Sequence, residues 1–205
     1  MDQDFIEHLI NYLIDKYNCH SVILYGSYAN GDCTDESDVD VVCFCEEVEN
    51  QNDTSFIEHK QLDAWIYRTE KMKDVEEFLH TRDGQVLLDR NCLCNDFLEK
   101  ITEVYNKGPK LLSEAEKEFH KSWFKKMLKR TQKEDIEGNF RFHWMLTDSL
   151  EIYFKIKGIW YMGSKKSLKW LYDNDREMYL LYERAFSRQS QQSDIERLIN
   201  RIAEL

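Results

Sequence analysis

One run constrains this chain more than any other: Leu24-Tyr25-Gly26-Ser27-Tyr28-Ala29-Asn30-Gly31, continued through residues 32–36 into Ser37-Asp38-Val39-Asp40-Val41-Val42. The apolar residues 21–25 predict a strand, Gly26-Ser27 a turn, the stretch to Gly31 one or two turns of helix, and residues 38–45 a second strand. Side chains two apart on a strand share a side, so Asp38 and Asp40 project together, while Val39, Val41 and Val42 take the other face or the deeper core. Two like charges held that close repel unless a cation lies between them. A hard divalent ion with oxygen ligands meets that need, and Mg²⁺ shared with substrate phosphates is its usual form. At the strand-to-helix turn, backbone N–H groups favour an anion such as a triphosphate tail. Gly26 permits close approach of the backbone, and the Ser27 hydroxyl can donate to a phosphate oxygen. Taken singly, the two carboxylates also read as a solvated strand edge and the Gly-Ser pair as an ordinary turn; their combination is what points to chemistry.

The run Tyr25-Gly26-Ser27-Tyr28-Ala29-x-Gly31, followed by Ser37-Asp38-Val39-Asp40, resembles the signature of the polymerase-β-like nucleotidyltransferase superfamily. The resemblance implies a mixed β-sheet flanked by helices, a nucleoside triphosphate co-substrate and two Mg²⁺ ions. It also implies a third metal-binding carboxylate on a later strand, and Asp63 in Leu62-Asp63-Ala64-Trp65-Ile66-Tyr67 supplies one in an alternating setting. Asn30 departs from the pattern, because many relatives carry Arg there.

Composition narrows the surroundings. A chain of 205 residues with 42% hydrophobic and 13% aromatic residues can bury a substantial core. No run is long enough to span a bilayer, and Met1-Asp2-Gln3-Asp4 is not the start of a secretory signal, so a cytoplasmic protein is expected. The six cysteines make no Cys-x-x-Cys pair and read as reduced thiols, with a zinc site the lesser alternative. The charge is split: residues 1–107 hold 24 acidic and 9 basic side chains, residues 108–205 hold 15 and 19. Such a division suggests that the two parts bind different things, and the overall acidity argues against a broad nucleic-acid surface.

Helical periodicity predicts a helix over 4–17, and a polar loop follows the second strand at 46–55. A third strand lies within 56–67, a helix at 71–80, a short strand at 85–89 after Asp83-Gly84, and a helix at 95–105. The sole proline, Pro109, marks a domain boundary, giving a domain of residues 1–107 and another of 108–205. Beyond it Ser113 and Glu116 spell a capping box for a helix to about 133. Helices over 136–157, 164–172, 175–186 and 193–205 complete a helical bundle whose aromatics, Phe119, Trp123, Phe140 and Trp144 among them, are expected in its core. The fold class is therefore α+β, a mixed sheet flanked by helices followed by a C-terminal helical bundle.

Glu151 and Lys155 are spaced i, i+4 and share one helix face. Their ordinary reading is a surface ion pair. Resemblance to kanamycin nucleotidyltransferase-like enzymes, whose helical C-terminal domain carries such a pair, implies Glu151 as general base and Lys155 as a phosphate ligand. Lys165 and Lys166, at the start of a helix where positive charge sits poorly, are likewise similar to the segment that grips the triphosphate in aminoglycoside adenylyltransferases. A solvated basic turn is the plain alternative.

Together these readings lead to the expectation of a metal-dependent nucleotidyltransferase, catalytic over 1–107 and substrate-binding over 108–205, moving AMP from ATP to a hydroxyl of a small molecule. Asp38, Asp40 and Asp63 would hold two Mg²⁺ ions, and Gly26 and Ser27 would seat the triphosphate. An aminoglycoside- or lincosamide-type antibiotic is the expected acceptor. The alternative is an antitoxin-like enzyme that binds or adenylylates a partner protein, with RNA tailing a third possibility. The resemblance allows a homodimer; no membrane association is expected.

Overall fold

The computed structural model describes residues 2–133 and 135–205. The chain divides between Lys107 and Gly108 into two compact units.

The first unit is built on a six-stranded mixed sheet ordered β3-β5-β2-β1-β6, with β4 paired to β5. Its strands are β1 (Ser21–Leu24), β2 (Val39–Cys45), β3 (Gln51–Asp53), β4 (Phe56–Ile57), β5 (Lys60–Arg68) and β6 (Gln85–Asp89). β1 runs antiparallel to both β2 and β6, whereas β2 and β5 are parallel over seven pairs from Val39↔Leu62 to Cys45↔Arg68. Helix α1 (Gln3–Tyr17) is capped by Asp2, which accepts from the Phe5 N–H at 2.8 Å. Its Phe5, Leu9, Leu13 and Tyr17 recur every four residues and are buried against Val39, Val41, Cys43, Leu62, Ala64 and Ile66 on one sheet face. The opposite face carries Asp40 and Phe44 on β2, and Asp63, Trp65 and Tyr67 on β5. There Phe44 meets Phe78 at 5.6 Å and, from helix α3 (Cys94–Lys107), Phe97 at 5.3 Å. The sheet therefore has a closed apolar side and a second side on which carboxylates stand ahead of aromatic rings.

Three expectations change. Residues 46–55 are not all loop, since Gln51–Asp53 forms edge strand β3. Its inward residue is Asp53, whose buried carboxylate accepts from Tyr12 (2.9 Å), Tyr17 (2.7 Å) and Lys16 (3.0 Å) of α1 and from the Ser55 N–H (2.9 Å). The strand expected within 56–67 is present as β5, but it is preceded by a short partner, β4, across a turn with Glu58 at φ 55°. Residues 71–80 are not one α-helix but two 3-10 segments, Thr69–Lys73 and Val75–Thr81, broken at Asp74. Lys71 bridges that break by pairing with Asp74 (2.8 Å) and Glu77 (2.7 Å). The six cysteines are free thiols.

The second unit is helical: α4 (Glu114–Thr131), α5 (Ile136–Lys157), α6 (Gly163–Asn174), α7 (Arg176–Ala185) and α8 (Gln192–Ala203). The capping box forms, with Ser113 Oγ accepting from the Glu116 N–H and Glu116 accepting from the Ser113 N–H at 2.7 Å. Asp135 caps α5, and Gly158 ends it in the left-handed region at φ 66°. The core gathers Phe124, Met127, Met145, Tyr153, Phe154, Tyr182 and the apolar stripe of α8, Ile195, Leu198, Ile199 and Ile202. Phe119 and Phe140 do not join it: both are 67% exposed, and Trp144 is 43% exposed. Among the described residues no helix is long and apolar enough to cross a membrane.

Candidate active site

The site starts at the end of β1. Short helix α2 (Gly26–Asn30) follows Tyr25 at once, and Gly31 closes it at φ 76°. Gly26 is also left-handed, at φ 69°, and a β-carbon there would stand 2.1 Å from Asp40 Oδ2. Only glycine meets both conditions, the backbone conformation and the missing volume. Tyr25 fixes the turn to β2 by donating its N–H to the Asp40 carbonyl at 3.0 Å. From β6, Gln85 holds the far end of α2 through a 3.0 Å bond to the Ala29 carbonyl.

Asp40 and Asp63 are register partners in the parallel β2–β5 ladder, so their carboxylates leave the same face of adjacent strands, about 4.8 Å apart at the backbone. Asp38 is exposed and stands one residue ahead of β2, rather than on it. The structure thus brings Gly26, Ser27, Asp40 and Asp63 together. It does not close Asp38, Asp40 and Asp63 into a three-ligand cluster; among the described residues no three His, Cys, Asp or Glu side chains converge tightly enough to hold a metal ion.

Sequence reasoning missed three neighbours of this site. Asn52, on β3, donates to Asp63 Oδ1 at 2.6 Å and orients that carboxylate. Lys60, at the start of β5, donates to the Tyr28 hydroxyl at 2.8 Å, which puts a cation beside α2. Tyr25 is held protonated first by burial, then by the negative charges of Asp40 and Asp63. Its ring is braced edge-on by His80, with centroids 4.9 Å apart. Asn52 lay in a stretch read as loop, whereas the Tyr25-Gly26-Ser27 spelling did contain the tyrosine.

Glu151 and Lys155 lie on α5 of the second unit and pair at 2.7 Å, both about half exposed. Lys165 and Lys166 occupy the first turn of α6.

Residues 6–101 match the family model described as "Nucleotidyltransferase domain". Among curated proteins, "Putative protein adenylyltransferase MJ1379" of Methanocaldococcus jannaschii is 41% identical over 54 residues, covering 26% of this chain and 51% of that protein. The chain thus spans about half the length of the curated relative it matches. Among solved structures, a nucleotidyltransferase-like protein from Exiguobacterium sibiricum 255-15 aligns over 97% of this chain and 73% of its own, at 14% identity and a TM-score of 0.46.

Proposed function

We propose that the first unit catalyses metal-dependent nucleotidyl transfer, moving a nucleoside monophosphate, AMP from ATP, onto an acceptor hydroxyl. The observation that carries this reading is the seating of Gly26 directly on the Asp40 carboxylate with Asp63 alongside, which joins an anion-binding turn to an acidic pair. The match of residues 6–101 to the nucleotidyltransferase domain supports it.

The donor chemistry would suit Mg²⁺: oxygen alone, from Asp40 and Asp63 on adjacent strands, with Asp38 two residues ahead of Asp40. Asp38, Asp40 and Asp63 would hold two such ions, which when bound supply charge neutralisation at the phosphates. The chain's own groups do the rest. Ser27 and the amides of the turn grip the β- and γ-phosphates, and Gly26 lets the backbone approach them. The acceptor oxygen attacks the α-phosphorus as the bond to the β-phosphate breaks, and pyrophosphate leaves in line. Two carboxylates are candidates for the acceptor proton: Asp63, oriented by Asn52, and Glu151, the base that the resemblance implies. Positioning supplies most of the rate.

For the acceptor, the resemblance favours a small hydroxylated molecule of aminoglycoside or lincosamide type. A partner protein is the second reading, favoured by the name of the M. jannaschii relative. Incubating the chain with labelled ATP, Mg²⁺ and an antibiotic panel, scored for pyrophosphate and modified product, separates the two. Label on a co-purifying polypeptide with an unmodified panel selects the protein acceptor. No pyrophosphate with any NTP, metal and acceptor defeats the enzymatic reading.

A further inference from the structure

The sheet of the first unit carries an exposed ring beside the proposed site that the chemistry above does not use. Asp63, Trp65 and Tyr67 alternate along β5 and leave the same face, so Trp65 stands between the acid and the tyrosine. The two rings lie 16° from parallel with centroids 6.2 Å apart. Tyr67 is anchored in turn, edge-on to buried Phe78 at 5.1 Å and 6.2 Å from buried Phe44. Trp65 is thus held by a ring seated on the core, yet it is 39% exposed. On a tryptophan of about 250 Å² that leaves roughly 100 Å² in water. The side of the indole away from Tyr67 is the side on which Asp63 stands, about 7 Å back along the strand.

Sheet order decides which substrate would lie over that ring. The proposed triphosphate seat at Gly26 and Ser27 follows β1; Asp40 stands on the next strand, β2, Asp63 on the next, β5, and Asn52 beyond it on β3. Neighbouring strands are about 4.8 Å apart, so Asp63 lies roughly 10 Å across the sheet from β1. In an in-line displacement the attacking oxygen and the leaving pyrophosphate occupy opposite sides of the α-phosphorus. With the leaving group at the β1 end, the acceptor belongs over β5 and β3. There Asn52 and Trp65 are register partners, and Asn52 also holds Asp63.

We propose that Trp65 selects the acceptor: the ring that carries the attacking hydroxyl packs against the indole, and its hydroxyl then reaches Asp63. The assignment rests on the nucleotidyl-transfer reading above and adds to it the group that discriminates among acceptors. A compact ring spans the ~7 Å between indole and acid. A flexible chain would have to lose rotamer freedom to lie there. An indole face also attracts a cation, and the Asp40 and Asp63 carboxylates repel an anion. The acceptor class is therefore a small hydroxylated ring bearing an amine.

Steady-state kinetics of the full chain with kanamycin and lincomycin as acceptors test the assignment. Trp65→Ala is expected to raise the acceptor KM about 10-fold, with kcat and the KM for ATP changed by less than about threefold, because stacking holds ground state and transition state alike. Trp65→Phe keeps a ring and brings the acceptor KM back to within about threefold of the wild type. Leu180→Ser, which replaces an equally exposed apolar side chain on α7 (39%), moves neither KM. A second arm needs no turnover. Either compound, added with Mg²⁺ and a non-hydrolysable ATP analogue, changes the tryptophan emission of the wild type, and Trp65→Phe abolishes that change. The assignment is overturned by an unchanged acceptor KM in Trp65→Ala, or by a raised KM for ATP in its place, which would give the indole to the nucleobase. It is equally overturned by an emission change that persists in Trp65→Phe, or by a wild type whose emission neither compound moves. An emission change that depends on Trp65, in a chain that releases no pyrophosphate, supports the ring site and defeats the transfer reading alone.

Discussion

Gly26 and Asp40 share a space that only one of them can fill: the carboxylate oxygen lies 2.1 Å from where the glycine's β-carbon would be. The turn and the acid are therefore one structural unit, although 14 positions separate them in the chain.

Gly26→Ala is expected to displace the Asp40 carboxylate and to strain a backbone held at φ 69°. The conformational part costs about 1–2 kcal/mol, so the unfolding midpoint falls by several degrees. Pyrophosphate release falls further, by about 100-fold or more, because the acid proposed to hold the metal is pushed away from the turn proposed to seat the phosphates. Gly31→Ala, with open space around its β-carbon, serves as the comparison and keeps its activity within about threefold.

Asp40→Asn and Asp63→Asn are each expected to abolish turnover, by roughly 10³-fold, with secondary structure unchanged in circular dichroism. Chelation of divalent ions by EDTA does the same to the wild type, and added Mg²⁺ restores it. Asn52→Ala removes the 2.6 Å bond that orients Asp63 and lowers kcat by about tenfold, with little change in the KM for ATP. Glu151→Gln decides between the two proposed bases: unchanged turnover assigns the acceptor proton to Asp63.

Asp53 governs stability in acid. Burial pushes its pKa up, but the bonds from Ser55, Tyr17 and Lys16 outweigh burial and hold the carboxyl well below the ordinary range. A carboxyl depressed in the folded state adds stability above its unfolded pKa of about 4, and that increment is lost as pH falls below it. Asp53→Asn should cost about 2 kcal/mol at pH 7, since it weakens the buried acceptor shared by two tyrosine hydroxyls and the Ser55 N–H, while Lys16 stays in reach of water. Denaturant titrations at pH 3 and pH 7 should differ less for the variant than for the wild type.

His20 acts in a higher window. It is buried 49 positions in sequence from Thr69, whose hydroxyl lies 2.8 Å from Nε2, while Ser21 Oγ lies 2.9 Å from Nδ1. Burial lowers its pKa, so the folded protein keeps the ring neutral where the unfolded chain protonates it. Stability contributed by the neutral ring is present above the unfolded value of about 6.5 and declines as pH drops through 6. His20→Gln should flatten the dependence of the unfolding free energy between pH 7 and pH 5.

Much of this was legible in the sequence, for identifiable reasons. The strand over 85–89 and the helix over 136–157 sit where punctuation marks them, Asp83-Gly84 before β6, Asp135 and Gly158 around α5. The Gly26-Ser27 turn was spelled by its residues, but alternation paired Asp40 with Asp38, which falls one residue ahead of β2; Asp63 entered through the resemblance, and its register with Asp40 is a long-range pairing that no local pattern shows. β3 was illegible because Gln51-Asn52-Asp53 has no apolar residue; its inward position is a carboxylate satisfied by a helix more than 30 residues earlier. Missing that strand meant missing Asn52 as the partner of Asp63. Phe119, Phe140 and Trp144 obeyed a helical period, yet periodicity cannot tell a ring facing the core from one facing outward on a wide aromatic helix.

The seven-pair parallel ladder between β2 and β5 has a bearing on how this protein can change over time. Moving β5 by a single position would swap Asp63 for Leu62 or Ala64 beside Asp40 and turn the whole apolar set outward. Insertions between residues 46 and 59 can therefore be absorbed only where they lengthen a bend without dragging the strand along. The connection over residues 32–37 lies outside the ladder and is free to vary in length. Drift in the length of that outer connection leaves the spacing of the two paired acids locked by the backbone.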